Sequence, residues 1–197
     1  MAWLLANGDI GLHIPKTGGT WVREVLGNLQ LIRVDTRSAH APLPVFTAPH
    51  EQRAFKFAFI RHPLDWYVSW WRWHADFAWT RKFAEPILPA CAFTPRLGFH
   101  EFVAQCLAQA PGMVSDLYEL FVGAPEAPID FIGRHESLRA DLLKLLALRS
   151  LPYDVRIIDN TLRQQISQTS KPAWDPALRN AVAEAEARAM QRFGYTP

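Results

Sequence analysis

The sequence predicts an α/β protein, a three-layer sandwich around a doubly wound parallel sheet. Three observations carry this. Short apolar runs of strand length alternate with stretches whose apolar residues recur at helical spacing. FKFAFI (55–60) is almost continuously apolar, as a strand buried on both faces must be. The glycine turn KTGG follows one strand-like run and precedes a helical stripe, the order that begins a right-handed crossover.

The elements follow in turn. IGLHI (10–14) is a short strand bounded by Gly8-Asp9 and Pro15-Lys16. Val22, Val25, Leu26 and Leu29 keep the i, i+3, i+4, i+7 spacing of an amphipathic helix. LQLIRV (29–34) holds a second strand, TRSAHAPLP (36–44) reads as loop, and FKFAFI is the third strand. Pro63 and Asp65 suit the first turn of a helix in which Trp66, Trp70, Trp73 and Phe77 share a stripe. Residues 84–98 contain three prolines and no period, so they read as an irregular connection. Phe99, Phe102, Val103, Cys106 and Leu107 mark one further helix, and Leu117, Leu120 and Phe121 another. IDFI (129–132) is strand-like, and Leu138, Leu142, Leu145 and Leu146 fit a helix after it. Asp175-Pro176 is an N-cap and first-turn pair for a helix carrying Leu178, Val182, Ala185, Ala189 and Phe193. No repeat or boundary divides the 197 residues, so a single domain over 1–197 is expected.

Composition narrows the function. Against 19 acidic residues stand 21 basic ones, a net charge of +2, which is too balanced for a nucleic-acid-binding face. Any bound anion needs a local cluster. Cys91 and Cys106 form no metal spacing, and Cys106 lies on an apolar stripe as a buried thiol. The N-terminal stretch lacks the pattern of a signal peptide, and no run has the length of a membrane span. A cytoplasmic location is therefore expected.

The loop HIPKTGGTW (13–21) sits between the first strand and first helix, at the carboxyl edge of the sheet, where open α/β folds bind ligands. Gly18 and Gly19 let the backbone approach an anion, and the first helical turn offers free N–H groups. Lys16 adds a full positive charge, and Thr17 and Thr20 add hydroxyls. The Walker A loop differs, because there the lysine follows the glycines and a Ser or Thr after it holds magnesium. The same residues also make an ordinary turn in any protein.

IPKTGGTW resembles the 5'-phosphosulfate loop of sulfotransferases that use 3'-phosphoadenylyl sulfate (PAPS), and IPKTGGT is most similar to the carbohydrate-type branch. The resemblance implies the P-loop-like sulfotransferase architecture, with PAPS as donor, adenosine 3',5'-bisphosphate (PAP) as product, and no metal. Trp21 resembles the tryptophan that stacks on adenine in the small-molecule branch; a place at the edge of the core is the alternative. The family places an arginine at a strand end and a serine eight residues later for the 3'-phosphate. In FIRHPLDWYVSWW these are Arg61 and Ser69. A guanidinium fork suits a phosphate with two charged hydrogen bonds. Ser69, Arg72 and Asp76 form a polar stripe apart from the tryptophans. FIGRHESLRADLLKLL (131–146) and the terminal FGY (193–195) also look like the family's later segments.

The implied reaction passes a sulfuryl group in line to a hydroxyl or amine, with charge developing on the leaving phosphate oxygen. Lys16 and the amides of residues 17–20 are placed to stabilise that charge. The acceptor needs a base, and His40 is the first choice, since the family draws its base from the region after the second strand. His50 and Glu51 are the runner-up pair. His13 and His62 flank the cofactor loops and are alternative phosphate contacts, whereas His74, His100 and His135 read as solvated surface groups. Lys171, in SQTSKPAW (167–174), is the candidate for a basic loop over the 3'-phosphate, with Arg163 a weaker choice. Arg134 and Glu136 read as structural. The aromatic helix is either core or, through Tyr67, Trp71 and His74, part of an acceptor pocket. The acceptor is a small molecule or a carbohydrate hydroxyl. The competing functions are a P-loop-like kinase, which needs magnesium, and a nucleotide-binding module without a base.

Overall fold

The computed structural model describes residues 2–36, 40–76, 87–93, 97–162 and 170–197, so Phe77, Trp79 and Arg163 lie outside the described residues, as does the side chain of His74. In chain order the elements are β1 (Ala2–Leu5), β2 (Ile10–Leu12), α1 (Gly19–Asn28), β3 (Ile32–Thr36), α2 (Pro49–Arg53), β4 (Lys56–Ile60) and α3 (Pro63–Asp76). There follow α4 (Phe99–Gln109), α5 (Met113–Val122), β5 (Phe131–Arg134), α6 (Leu138–Leu148), α7 (Val155–Asn160), α8 (Pro176–Ala185) and α9 (Ala187–Phe193), with short 3-10 turns at Leu43–Val45 and Ala90–Phe93. They fall into two compact units. One comprises Met1–Arg61 and Leu120–Ile166, the other His62–Glu119 and Ser167–Pro197.

The first unit holds a five-stranded sheet in the order β3-β1-β2-β4-β5. β2, β4 and β5 are parallel neighbours, with Leu12 opposite Ala58 and Phe59 opposite Gly133. The expectation of a wholly parallel sheet is corrected at β1, which runs antiparallel to both β2 and β3. The reason is local. Asn7-Gly8 between two apolar runs makes a hairpin, closed by Leu5 N–H to Asp9 O at 2.9 Å, with Gly8 at φ 90°. Asp9 is buried and is held by both arms of Arg149, at 2.8 and 2.9 Å. All five residues of β4 are buried, as its apolar run requires. Phe57 and Phe59 turn to one face, where they pack with Trp3, Val22, Val25, Leu142 and Leu146. Gly11 makes this packing possible. It lies in register between Trp3 and Phe57, and an added Cβ would come within 2.7 Å of the Phe57 ring.

The second unit is helical. Trp66, Tyr67 and Trp70 on α3 are fully buried, Trp66 stacks on Trp70 at 5.4 Å, and the Trp70 indole N–H donates to Ala92 O at 2.8 Å. For these three residues the core reading of the aromatic helix holds, which removes Tyr67 from any acceptor pocket. Asp175 caps α8 by accepting from Leu178 N at 2.9 Å, as its place before Pro176 predicts. The single helix expected beyond it is two, broken at Glu186. Cys91 and Cys106 are both buried, and neither is in a disulfide.

Candidate active site

The loop between β2 and α1 is shaped by its two glycines. Gly18 is the N-cap of α1 at φ 88° and ψ 6°, a left-handed conformation that glycine adopts without strain. An added Cβ there would lie 2.6 Å from the Leu138 side chain and 3.1 Å from the His135 ring. Gly19, the first residue of α1, lies against the His13 imidazole, and a methyl group at that position would overlap the ring. Each glycine therefore has its own cause, backbone conformation at one and close approach at the other. Gly19→Ala is expected to displace either His13 or the first turn of α1. It should also destabilise the fold by about 1–3 kcal/mol, the usual range for overpacking. Chemical denaturation checks the second effect; a variant as stable as the parent contradicts the packing argument.

Lys16 is half-buried and has φ 63°, a left-handed conformation that costs a residue with a side chain about 1–2 kcal/mol. Such strain is concentrated at functional loops. The Thr17 hydroxyl is turned inward and donates to Ile14 O at 2.9 Å, so it braces the loop. Thr20 is half-buried on the first turn of α1. Arg61, one residue past β4, reaches the same loop, its Nη1 lying 3.4 Å from Lys16 O. Parallel pairing of β2 with β4 explains this, because it brings both strand ends to one edge. β5 ends at that edge too, and His135 N–H donates to Ile60 O at 2.7 Å. The His135 ring packs on Gly18 instead of being a solvated surface group. Its position after a parallel neighbour of β4 was the available signal, and recognising it needed the strand order.

His40 and His13 form a pair. The His40 Nδ1 lies 2.7 Å from the His13 carbonyl, which can only accept, so Nδ1 carries the proton and Nε2 keeps its lone pair. The two rings are 4.7 Å apart. Burial is the main cause that pushes His40 down to about 4, and burial followed by the nearby His40 pushes His13 well below the usual range. His13 is thus a buried wall of the loop, stacked on Trp3 at 5.6 Å. Both groups stay neutral in the folded chain when an unfolded histidine would protonate, at about pH 6.5. The unfolded state then binds more protons, so stability is full above that pH and falls as the pH drops toward 4. Melting temperature measured from neutral pH to about pH 5 should fall, and less steeply in His40→Gln. A flat profile contradicts the burial of neutral imidazoles.

The remaining candidates fall elsewhere. Trp21 is 6% exposed within the core, and its indole N–H donates to Thr161 O at 2.8 Å, so its faces are packed and the edge-of-core alternative describes it. α7, which supplies Thr161 just beyond its end, carries no stripe long enough to be read from sequence. Glu51 closes the turn before α2 by accepting from Ala48 N at 3.0 Å, and His50 is exposed beside it. Arg134 and Glu136 are exposed. In the second unit Ser69 is half-buried on α3, one turn beyond Asp65, and Asp65 pairs with Lys171 at 2.9 Å. His62 has both ring nitrogens engaged, with Thr196 O at 2.8 Å and Leu64 N at 3.2 Å, which corrects its reading as a phosphate contact. His100 Nε2 lies 3.0 Å from Ala173 O.

A protein-family model matches the chain over most of its length. The model described as "Sulfotransferase family" matches residues 10–193. The chain belongs to the sulfotransferase family. No curated protein and no solved structure matches it. As a sulfotransferase it is a transferase that passes a sulfuryl group to an acceptor substrate. No helix among the described residues is long and apolar enough to cross a membrane.

Proposed function

We propose that this chain transfers the sulfuryl group of PAPS to a hydroxyl or amine of a small-molecule or carbohydrate acceptor. The observation that carries the reading is the approach of Arg61 Nη1 to Lys16 O at 3.4 Å, which sets the guanidinium against the glycine loop that leads into α1. The residues fit the donor. The N-terminus of α1 suits a phosphate, and Lys16 and Arg61 supply charges that a bisphosphorylated nucleotide needs. PAPS, when bound, supplies the activated sulfuryl group and a phosphate leaving group.

Lys16 holds the oxygen on which negative charge develops, with the amides of Thr17 to Thr20 directed at the same phosphate. Arg61 and Ser69 take the 3'-phosphate, and Lys171 exchanges its partner Asp65 for that phosphate. The core position of Trp21 leaves it bracing α1, not stacking on adenine. His40 accepts the acceptor proton at Nε2, the nitrogen its bond to His13 O leaves available. On this reading the β2–β4–β5 ladder is the doubly wound centre of a P-loop-like sandwich. The family match spans both units, which supports a single catalytic domain over the whole chain.

Calorimetry with PAP in the presence of EDTA is the test, with binding expected. Binding only of ATP, and only with magnesium, favours the kinase and sinks the proposal. Transfer of labelled sulfate from PAPS to a panel of hydroxyl acceptors should be lost in His40→Ala while PAP binding remains; unchanged transfer removes His40 from the mechanism.

A further inference from the structure

His62 is the N-cap of α3. Its carbonyl accepts from Trp66 N at 2.9 Å, and its side chain does what a capping Ser or Asp does elsewhere, with Nδ1 accepting from Leu64 N at 3.2 Å. An imidazole that accepts at Nδ1 is neutral and carries its proton on Nε2. That proton goes to Thr196 O at 2.8 Å. The ring also packs against Tyr195, with centroids 4.9 Å apart. The chain arrives there because α9 ends at Gly194, left-handed at φ 63°, and Tyr195 N–H returns to Met190 O at 2.9 Å. One side chain therefore joins the first turn of α3 to the segment after α9. That turn carries Asp65, paired with Lys171, and Ser69 lies one turn further along the helix.

We infer that His62 is a positioning residue, and that the segment Tyr195–Pro197 works through it to hold the start of α3 in the geometry that binds the donor's 3'-phosphate. The inference rests on the donor reading above, in which Ser69 and Lys171 serve that phosphate. The two hands of His62 separate by substitution. His62→Asn keeps the cap, since asparagine is among the best N-cap residues, but its shorter side chain cannot span to Thr196. Truncation after Gly194 removes the clasp and leaves the imidazole cap intact. His62→Ala removes both.

Calorimetric titration of the full chain and the three variants with PAP, together with steady-state transfer of sulfate from PAPS, tests it. His62→Asn and the truncation should each weaken PAP binding about five-fold, the worth of one such hydrogen bond. Combining the two should weaken it by less than the sum of the separate effects, because both remove the bond from His62 to Thr196 O. The KM for PAPS should rise with kcat and acceptor KM nearly unchanged, a split that general loss of stability does not produce. Parent-like affinity in both His62→Asn and the truncated chain overturns the inference and leaves the donor reading standing. Absence of PAP binding by the parent chain overturns the donor reading and the inference with it.

Discussion

Replacing Lys16 by glycine is expected to lower kcat for sulfuryl transfer about 10²–10³-fold, the usual cost of removing one preorganised charge from a developing anion. Glycine is the informative substitution because Lys16 has φ 63°. Alanine would keep the strain of the left-handed backbone, whereas glycine relieves it. The Lys16→Gly fold should therefore be at least as stable as the parent, and the lost activity is attributable to the ammonium alone. Its carbonyl, which accepts from Arg61 at 3.4 Å, is retained. Single-turnover rates and a melting curve measured together decide the matter. Near-parental turnover would show that the lysine is a turn residue and that the transferred charge is met elsewhere.

The largest expected loss of stability is at Glu186. Its side chain is fully buried and accepts four hydrogen bonds, from Tyr67 Oη at 3.0 Å, Val114 N at 3.1 Å, Ser115 N at 2.8 Å and Ser115 Oγ at 2.7 Å. All four donors are neutral. The carboxylate is held there by the N-terminal amides of α5, where the helix dipole favours negative charge. Burial, and then the carboxylate itself, push the Tyr67 phenol well above its usual range, so it stays a donor. Glu186→Ala would leave four buried donors without an acceptor, at about 1–3 kcal/mol each before relaxation. A net loss of about 3–5 kcal/mol is expected, a large part of the stability of a domain. Melting temperature should fall by about 10 °C. Glu186→Gln, which keeps one acceptor oxygen, should lose less. A fall of less than about 2 °C in the alanine variant would mean that water replaces the carboxylate at little cost.

Some of this protein was determined by its sequence alone. The α/β class, the strand at 56–60, the cap at Asp175 and the glycine loop ahead of α1 all follow from residues within one turn or one strand of each other, where backbone conformation and side-chain period are local properties. Even β1, which breaks the parallel pattern, has a local cue in Asn7-Gly8. What the tertiary structure decided concerns groups far apart in the chain. Only strand order places Arg61 and His135 beside the Lys16 loop, because that proximity arises from pairing β2 with β4 and β4 with β5. Only packing decides that Trp21 lies in the core, that His13 is a wall against Gly19, and that His62 clasps Thr196. A histidine or tryptophan suits solvent, ligand or core by its own chemistry, and the surroundings that choose among them are assembled from segments dozens of residues away.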